Sequence, residues 1–285
     1  MRLGEPPGRD ERDERAGRRA LLVRYYERLI GELGPQGWWP ARTRLEVILG
    51  AILVQNTTWQ NAYRALGRLR KAGLLRLSKL RKATRAELQS HIRPAGFFRQ
   101  KSLTVWNFLD WLGRTYHGSL GRLFARPAAG LRQELLSLKG LGPETVDAIL
   151  LYAGRQPFFV ADAYTRRIMA RHELVPPTAD YAAVQQFLHE NLLADQALFN
   201  EFHALLVEVG KRYCKRQAPR CDQCPLQEFL PPGPLHDSRL GARASRSLRS
   251  ELALSAAKGQ ARPHSLGRGA GWAPASVDGQ TIRGR

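Results

Sequence analysis

The sequence predicts an all-α protein, and three observations carry that reading. Apolar residues return at intervals of three and four along most of the chain as far as Tyr213. No segment sustains the alternation of a half-buried strand, and Gly and Pro punctuate runs of the length usual for globular helices. With 285 residues and 43% hydrophobic content, the chain can bury one or two cores.

Residues 1–16 are rich in Arg, Asp, Glu, Gly and Pro and are expected to be disordered. From Ala20, the set Leu21, Leu22, Tyr25, Leu29 and Leu33 predicts a first amphipathic helix, stopped by Gly34-Pro35-Gln36-Gly37. Trp38-Trp39-Pro40 reads as an aromatic connector that seals a joint. A second helix starts near Thr43 and is apolar almost all round through Leu53, so it belongs in the core. The polar knot Val54-Gln55-Asn56-Thr57-Thr58 follows, and Asn and Thr there suit helix capping. Helices are expected at 59–72, 78–91 and 98–116. The loop Arg93 to Lys101 between the last two mixes turn formers with basic and aromatic residues. Further helices are expected at 180–193 and 196–213.

Leu138-Lys139-Gly140-Leu141-Gly142-Pro143-Glu144-Thr145 reads as helix, tight turn, helix. Gly140 and Gly142 supply the positive φ a short reversal needs, and Pro143 opens the next helix. Unpaired N–H groups and the helix dipole at that start favour an anion such as a phosphodiester. Ten residues past Tyr152, Asp162 precedes the run Ala163-Tyr164-Thr165-Arg166-Arg167 and has the place of an N-cap. With Arg166 and Arg167 beside it, its carboxylate is expected to stay ionised.

This order of hairpin, helix and acidic residue resembles the helix-hairpin-helix DNA glycosylases of the endonuclease III type. The resemblance implies that the hairpin, through Gly140, Leu141, Gly142 and Thr145, grips DNA backbone with Arg166 nearby. It implies that Asp162 is the catalytic acid residue at the pocket for an extruded base. It also implies that Gln55 fills the gap left in the duplex, an alternative to plain capping at that knot. Two lobes follow from it: a six-helix domain at 43–155, and a terminal domain of residues 17–42 plus 156–230, with DNA in the cleft between. Family members that also nick the strand carry a lysine just after the second hairpin glycine. Here Pro143-Glu144-Thr145 follows Gly142. That departure resembles monofunctional members that remove alkylated purines such as 3-methyladenine, for which Trp59, Tyr63, Phe97 and Tyr152 are candidate pocket aromatics.

A net charge of +20 points to a polyanionic partner, although a GC-rich coding sequence alone would also raise Arg content. The expected partner is double-stranded DNA with a damaged base, met by a monomer. No run approaches the roughly 18 apolar residues of a membrane span, and the start has no apolar signal core, so a cytoplasmic, nucleoid-associated prokaryotic protein is expected.

Cys214, Cys221 and Cys224 are the only three cysteines. Their spacing matches the first three ligands of the 4Fe-4S loop in many endonuclease III relatives, and the fourth ligand position is Leu230. Three readings stay open: a cluster on three thiolates plus water or His236, a vestigial loop held by packing, or zinc on three Cys and one His. Lys211, Arg212, Lys215, Arg216 and Arg220 around the loop suit phosphate contact. Residues 231–285 read as a disordered basic tail, with helical periodicity returning only between Leu248 and Ala257. The functional expectation is a base-excision glycosylase. Its alternatives are a bifunctional glycosylase and lyase on oxidised pyrimidines, and a non-catalytic DNA-binding protein.

Overall fold

The computed structural model describes residues 9–232, and among them it contains twelve α-helices and no strand. The expected tail, including 248–257 and His236, lies outside the described residues, as do residues 1–8. Helix α1 (Arg9–Leu33) begins well before Ala20. Glu14 and Arg18 pair one turn apart at 3.2 Å, and Arg15 Nε donates to the Glu190 carbonyl at 2.7 Å, so residues 12–18 gain helical partners despite having little to bury. Further along, Leu22, Tyr25 and Leu29 are fully buried, where α1 packs on α11 and α12.

Helix α2 (Arg44–Leu53) starts where the sequence suggests, because the Thr43 hydroxyl accepts from Glu46 N at 3.2 Å. All its residues after Arg44 are buried. Each buried Leu or Ile there contributes roughly 1.5–3 kcal/mol. The one acidic member, Glu46, is 2% exposed and is paired to Arg70 on α3 (Trp59–Lys71) at 2.6 Å. The helix expected over 78–91 is instead two, α4 (Leu77–Leu80) and α5 (Arg85–Ile92). Thr84 takes extended backbone, and its hydroxyl accepts from Glu87 N at 3.1 Å to start a fresh helix. Leu80, Ala83 and Leu88 are all buried, so apolar spacing runs across the break and conceals it.

Helix α6 (Phe98–Tyr116) is followed by the short α7 (Leu120–Phe124) and then α8 (Ala128–Leu136). The hairpin turn leads into α9 (Pro143–Ala148), which widens without a break into a π-helical turn, Ile149–Ala153. An extended segment then reaches α10 (Ala163–Arg171), α11 (Tyr181–Asn191) and α12 (Gln196–Arg212). Helix α2 touches α3, α6, α9 and the π turn, while α10 packs on α11 and α12.

One buried carboxylate joins these groups. Asp147, fully buried on α9, accepts from Arg132 Nε at 2.7 Å and Nη2 at 3.0 Å, from the Tyr181 hydroxyl at 2.8 Å and from Gln185 Nε2 at 2.7 Å. Gln185 Nε2 also donates to the Phe159 carbonyl at 2.6 Å, so α8, α9, α11 and the segment entering Asp162 share one network. Arg132 lies deep enough that its bond to Asp147 raises its pKa against the opposing effect of burial. Replacing Arg132 by Met leaves a buried charge short of its counterion. Stability is expected to fall by roughly 3–5 kcal/mol in urea unfolding; a loss under about 1 kcal/mol, the ordinary range for an exposed pair, would mean the network is not the joint described.

Candidate active site

The hairpin uses its two glycines differently. Gly140 has φ of +99°, and a Cβ there would sit 2.1 Å from Thr104 Oγ1 on α6, so the turn needs both the conformation and the absence of a side chain. Gly142 is instead extended, with φ −92°, and has open space around it. The positive φ expected there is not needed, because Gly142 serves as the N-cap of α9. No side chain caps that end. Leu141 is buried and its amide donates to the Leu138 carbonyl at 3.1 Å, so the open anion-facing groups are those of Gly142 and the first turn of α9.

Gln55 reaches this turn. Its Nε2 donates to the Gly140 carbonyl at 3.1 Å and to Thr145 Oγ1 at 2.8 Å. The helix cap in the polar knot is Thr58, which accepts from Asn61 N, while Gln55 ties the end of α2 to the hairpin. Buried Lys101 steadies the same region, donating to the carbonyls of Leu53 at 2.9 Å and Ala95 at 2.7 Å. The loop it anchors ends in Phe97, which is 62% exposed and left-handed at φ +44°. The sequence marks Lys101 as one more loop cation; only the folded geometry turns it inward.

Asp162 caps α10, with Oδ1 accepting from Thr165 N at 2.8 Å, and its side chain is 14% exposed. Its Oδ2 lies 3.7 Å from Nε2 of buried His203 on α12. His203 Nδ1 is hydrogen-bonded to the hydroxyl of Tyr152, which the π turn carries. Burial pushes the Asp162 carboxyl up, but His203 and the Thr165 amide outweigh it and hold the group below its usual value. The expected partner Arg167 is turned away, donating to the carbonyls of Cys214 at 2.8 Å and Gly210 at 3.4 Å. Exposed Arg166 stays near enough to influence Glu144, which stands second in α9. Glu144 borders solvent, yet desolvation on its inner side and the charge of Asp162 push its carboxyl up.

Beside these carboxyls lies an aromatic group. Trp39 stands 4.9 Å from Trp59 and 5.1 Å from Tyr152 between ring centroids, Trp38 is 5.6 Å from Trp59, and Tyr63 is 6.4 Å from Trp59. Tyr152 is therefore shared between the aromatic group and His203. The sequence reading of Trp38 and Trp39 as joint sealers misses this clustering, for which the adjacency of two tryptophans to Pro40 is the available signal.

Residues 49–193 match the HhH-GPD superfamily of base excision DNA repair proteins. The chain is 39% identical over 211 residues to a candidate DNA repair glycosylase of Methanocaldococcus jannaschii, covering 73% of this chain and 95% of that protein. The chain belongs to the HhH-GPD superfamily. It is also 25% identical over 189 residues to endonuclease III of Sulfolobus acidocaldarius, covering 66% of this chain and 82% of that one. The structure of an endonuclease III–DNA complex superposes with a TM-score of 0.64 at 20% identity over 80% of this chain and 98% of that one, a likeness of fold. That of H. pylori 3-methyladenine DNA glycosylase bound to 1,N6-ethenoadenine gives 0.59 at 26% identity over 68% of this chain and 97% of that one. Among the described residues no helix is long and apolar enough to cross a membrane.

The cysteine loop of this HhH-GPD chain does not supply a four-thiolate site. Cys214, Cys221 and Cys224 are free and line one hollow with Arg171, His172, Val209 and Leu230, and the apolar Leu230 stands at the fourth position. Among the described residues no group of three or more His, Cys, Asp or Glu side chains is arranged to hold a metal ion. Burial pushes the Cys221 thiol up and that of Cys224 to about 11. Protein groups brace the loop instead: Arg171 donates to Cys214 Sγ at 3.2 Å and to the carbonyls of Lys215 at 2.7 Å and Arg216 at 3.2 Å. Of the loop's other cations, Lys211 and Arg212 pair with Glu208 at 2.9 and 3.0 Å.

Protein purified without oxygen is expected to be colourless and free of iron, with stoichiometric iron and visible absorption the contrary result. Burial lowers the Lys101 pKa from 10.5 to about 8. Between those values the native state binds fewer protons than the unfolded chain, so this group's contribution to stability rises with pH across the window. Lys101→Met is expected to flatten the rise in urea-unfolding free energy between about pH 7 and 10 relative to wild type; equal slopes would show that the amine titrates normally.

Proposed function

We propose that this DNA glycosylase hydrolyses the N-glycosidic bond of a damaged base swung out of duplex DNA, without cutting the strand, and that its substrates are alkylated purines. The observation that supports this most is the pair of carboxyls, with Glu144 and no lysine just after Gly142, where strand-nicking members of the resembled family carry a lysine, and Asp162 held below its usual value nearby. No lysine stands in the first turn of α9, and Lys101 is buried against two carbonyls, so neither is placed to form a Schiff base with C1′. Water is the acceptor. Asp162 stabilises positive charge developing at C1′ and orients or deprotonates that water. Extrusion costs a few kcal/mol, least for a damaged or mispaired base.

The substrate class follows from charge and stacking. A purine alkylated at a ring nitrogen is cationic and leaves readily, so a site with two carboxyls beside an aromatic group suits it. Trp38, Trp39 and Tyr152 also border a cavity of about 590 Å³, which Arg42, Arg155 and Asn200 line and Asp162 and Glu144 do not. The likeness to a 3-methyladenine DNA glycosylase supports the same class. DNA lies between a 43–155 domain and a domain of residues 17–42 plus 156–230. Backbone phosphate meets Gly142 and the first turn of α9, Arg166 adds charge, and Gln55 leaves the hairpin to fill the vacated space.

Mass spectrometry of bases released from methylated, oxidised and deaminated duplexes tests this directly. Methylated purines are expected, from strands that remain whole. Asp162→Asn is expected to slow release by roughly 10²–10⁴-fold while duplex binding persists. A borohydride-trapped protein–DNA adduct would overturn the hydrolytic reading, and full activity of Asp162→Asn would overturn the role of that carboxylate.

A further inference from the structure

His203 Nε2 is a buried polar atom with no hydrogen-bond partner, and the nearest acidic oxygen is Asp162 Oδ2 at 3.7 Å. The ring cannot turn freely, because its Nδ1 is held by the Tyr152 hydroxyl and its face is packed edge-on to Phe159, with centroids 6.4 Å apart. Only three protonation states of an imidazole exist. The neutral form protonated at Nδ1 would aim a lone pair at a carboxylate. The other two, neutral with an Nε2–H or doubly protonated, both place a proton between the rings's Nε2 and Oδ2.

We infer that His203 is a positioning residue for Asp162, locked by Tyr152 so that an Nε2–H faces Oδ2 and fixes the plane of the carboxylate. This rests on the reading that Asp162 acts on the sugar of an extruded nucleotide. With Oδ1 on the Thr165 amide alone, the carboxylate can swing about its last torsion; an Nε2–H 3.7 Å from Oδ2 opposes that swing electrostatically. Tyr152 is well suited to be the donor in this relay, since burial first and the charge of Asp162 second keep its hydroxyl protonated far above neutral pH. A Tyr O–H donating to Nδ1 leaves the proton on Nε2. The other ionisable groups that bear on this relay are Glu144 on α9, Arg166 on α10 and Glu201 on α12.

The test is the pH profile of single-turnover base release from methylated duplex DNA, for wild type, His203→Asn and Tyr152→Phe. Loss of the imidazole is expected to move the acid limb upward, because it removes a group that favours ionised Asp162. The plateau should fall by roughly ten- to a hundredfold through misorientation. Tyr152→Phe keeps the ring and should shift the limb the same way by less. A purely structural role would lower the amount of folded enzyme and leave the limb in place, and that result overturns the inference. Should His203→Asn fail to fold, the limb of Tyr152→Phe decides.

A readout that needs no turnover is the ¹⁵N spectrum of imidazole-labelled protein at neutral pH. His203 is expected to carry its proton on Nε2, and a neutral ring protonated at Nδ1 overturns the proposal. Asp162→Asn separates the two readings: if that variant is inactive while the limb and tautomer contradict the relay, only the role of His203 fails. If it is fully active, the catalytic reading itself fails.

Discussion

The geometry of the site depends on the buried carboxylate of Asp147. An unpaired charge in that position would be strongly destabilising, and four donors from Arg132, Tyr181 and Gln185 satisfy it. Satisfying it requires α8, α9 and α11 to meet at one point. The shared amide of Gln185 then fixes the Phe159 carbonyl, three residues before Asp162. The turn that carries Glu144 and the segment that delivers Asp162 are thus held in register by one polar network in addition to the apolar packing of Val146, Phe159 and Ala161, which alone tolerates small slips.

Close approaches limit the remaining freedom. Gly140 lets the hairpin lie against Thr104, where any side chain would collide with the hydroxyl. Gly210 does the same between α12 and α10, where a Cβ would fall 2.2 Å from the ring of Tyr164. The second contact sets how near α12 comes to the start of α10, and so the separation of His203 from Asp162. A separation of 3.7 Å needs helices this close, and only glycine at 210 permits it.

Much of this was legible in the sequence, and the limits of legibility are physical. Local chemistry reads well: Thr43 and Asp162 look like caps and are caps, and the all-apolar run to Leu53 is buried. Signals in which two local rules coincide read less well. Apolar spacing continues through Thr84 and conceals the cap inside 78–91, and of the two hairpin glycines only Gly140 takes the positive φ that the turn requires. Long-range pairings were not legible. Nothing near Gln55 in sequence reveals that its amide bonds residues 140 and 145, and Tyr152 and His203 are 51 residues apart. Lys101 is the sharpest case, since an amine in a polar loop is normally solvated and only the arrival of two carbonyls makes its burial tolerable.

The first turn of α9 carries Glu144 and no lysine. An amine at position 144 would face Asp162 and could take a covalent role. A carboxyl there instead adds to the negative field. Asp162, facing His203 and capped by a helix amide, is held below its usual value, while desolvation and the charge of Asp162 push Glu144 up against the opposing effect of His203 and Arg166. Their surroundings thus shift the two carboxyls in opposite directions, which is how neighbouring carboxyls acquire different roles. A site of that kind repels an incoming phosphate and attracts a cation. On the proposed reading the phosphate therefore meets Gly142 at the very start of α9, where no side chain caps the open amides, and Arg166 offsets the nearby charge of Glu144.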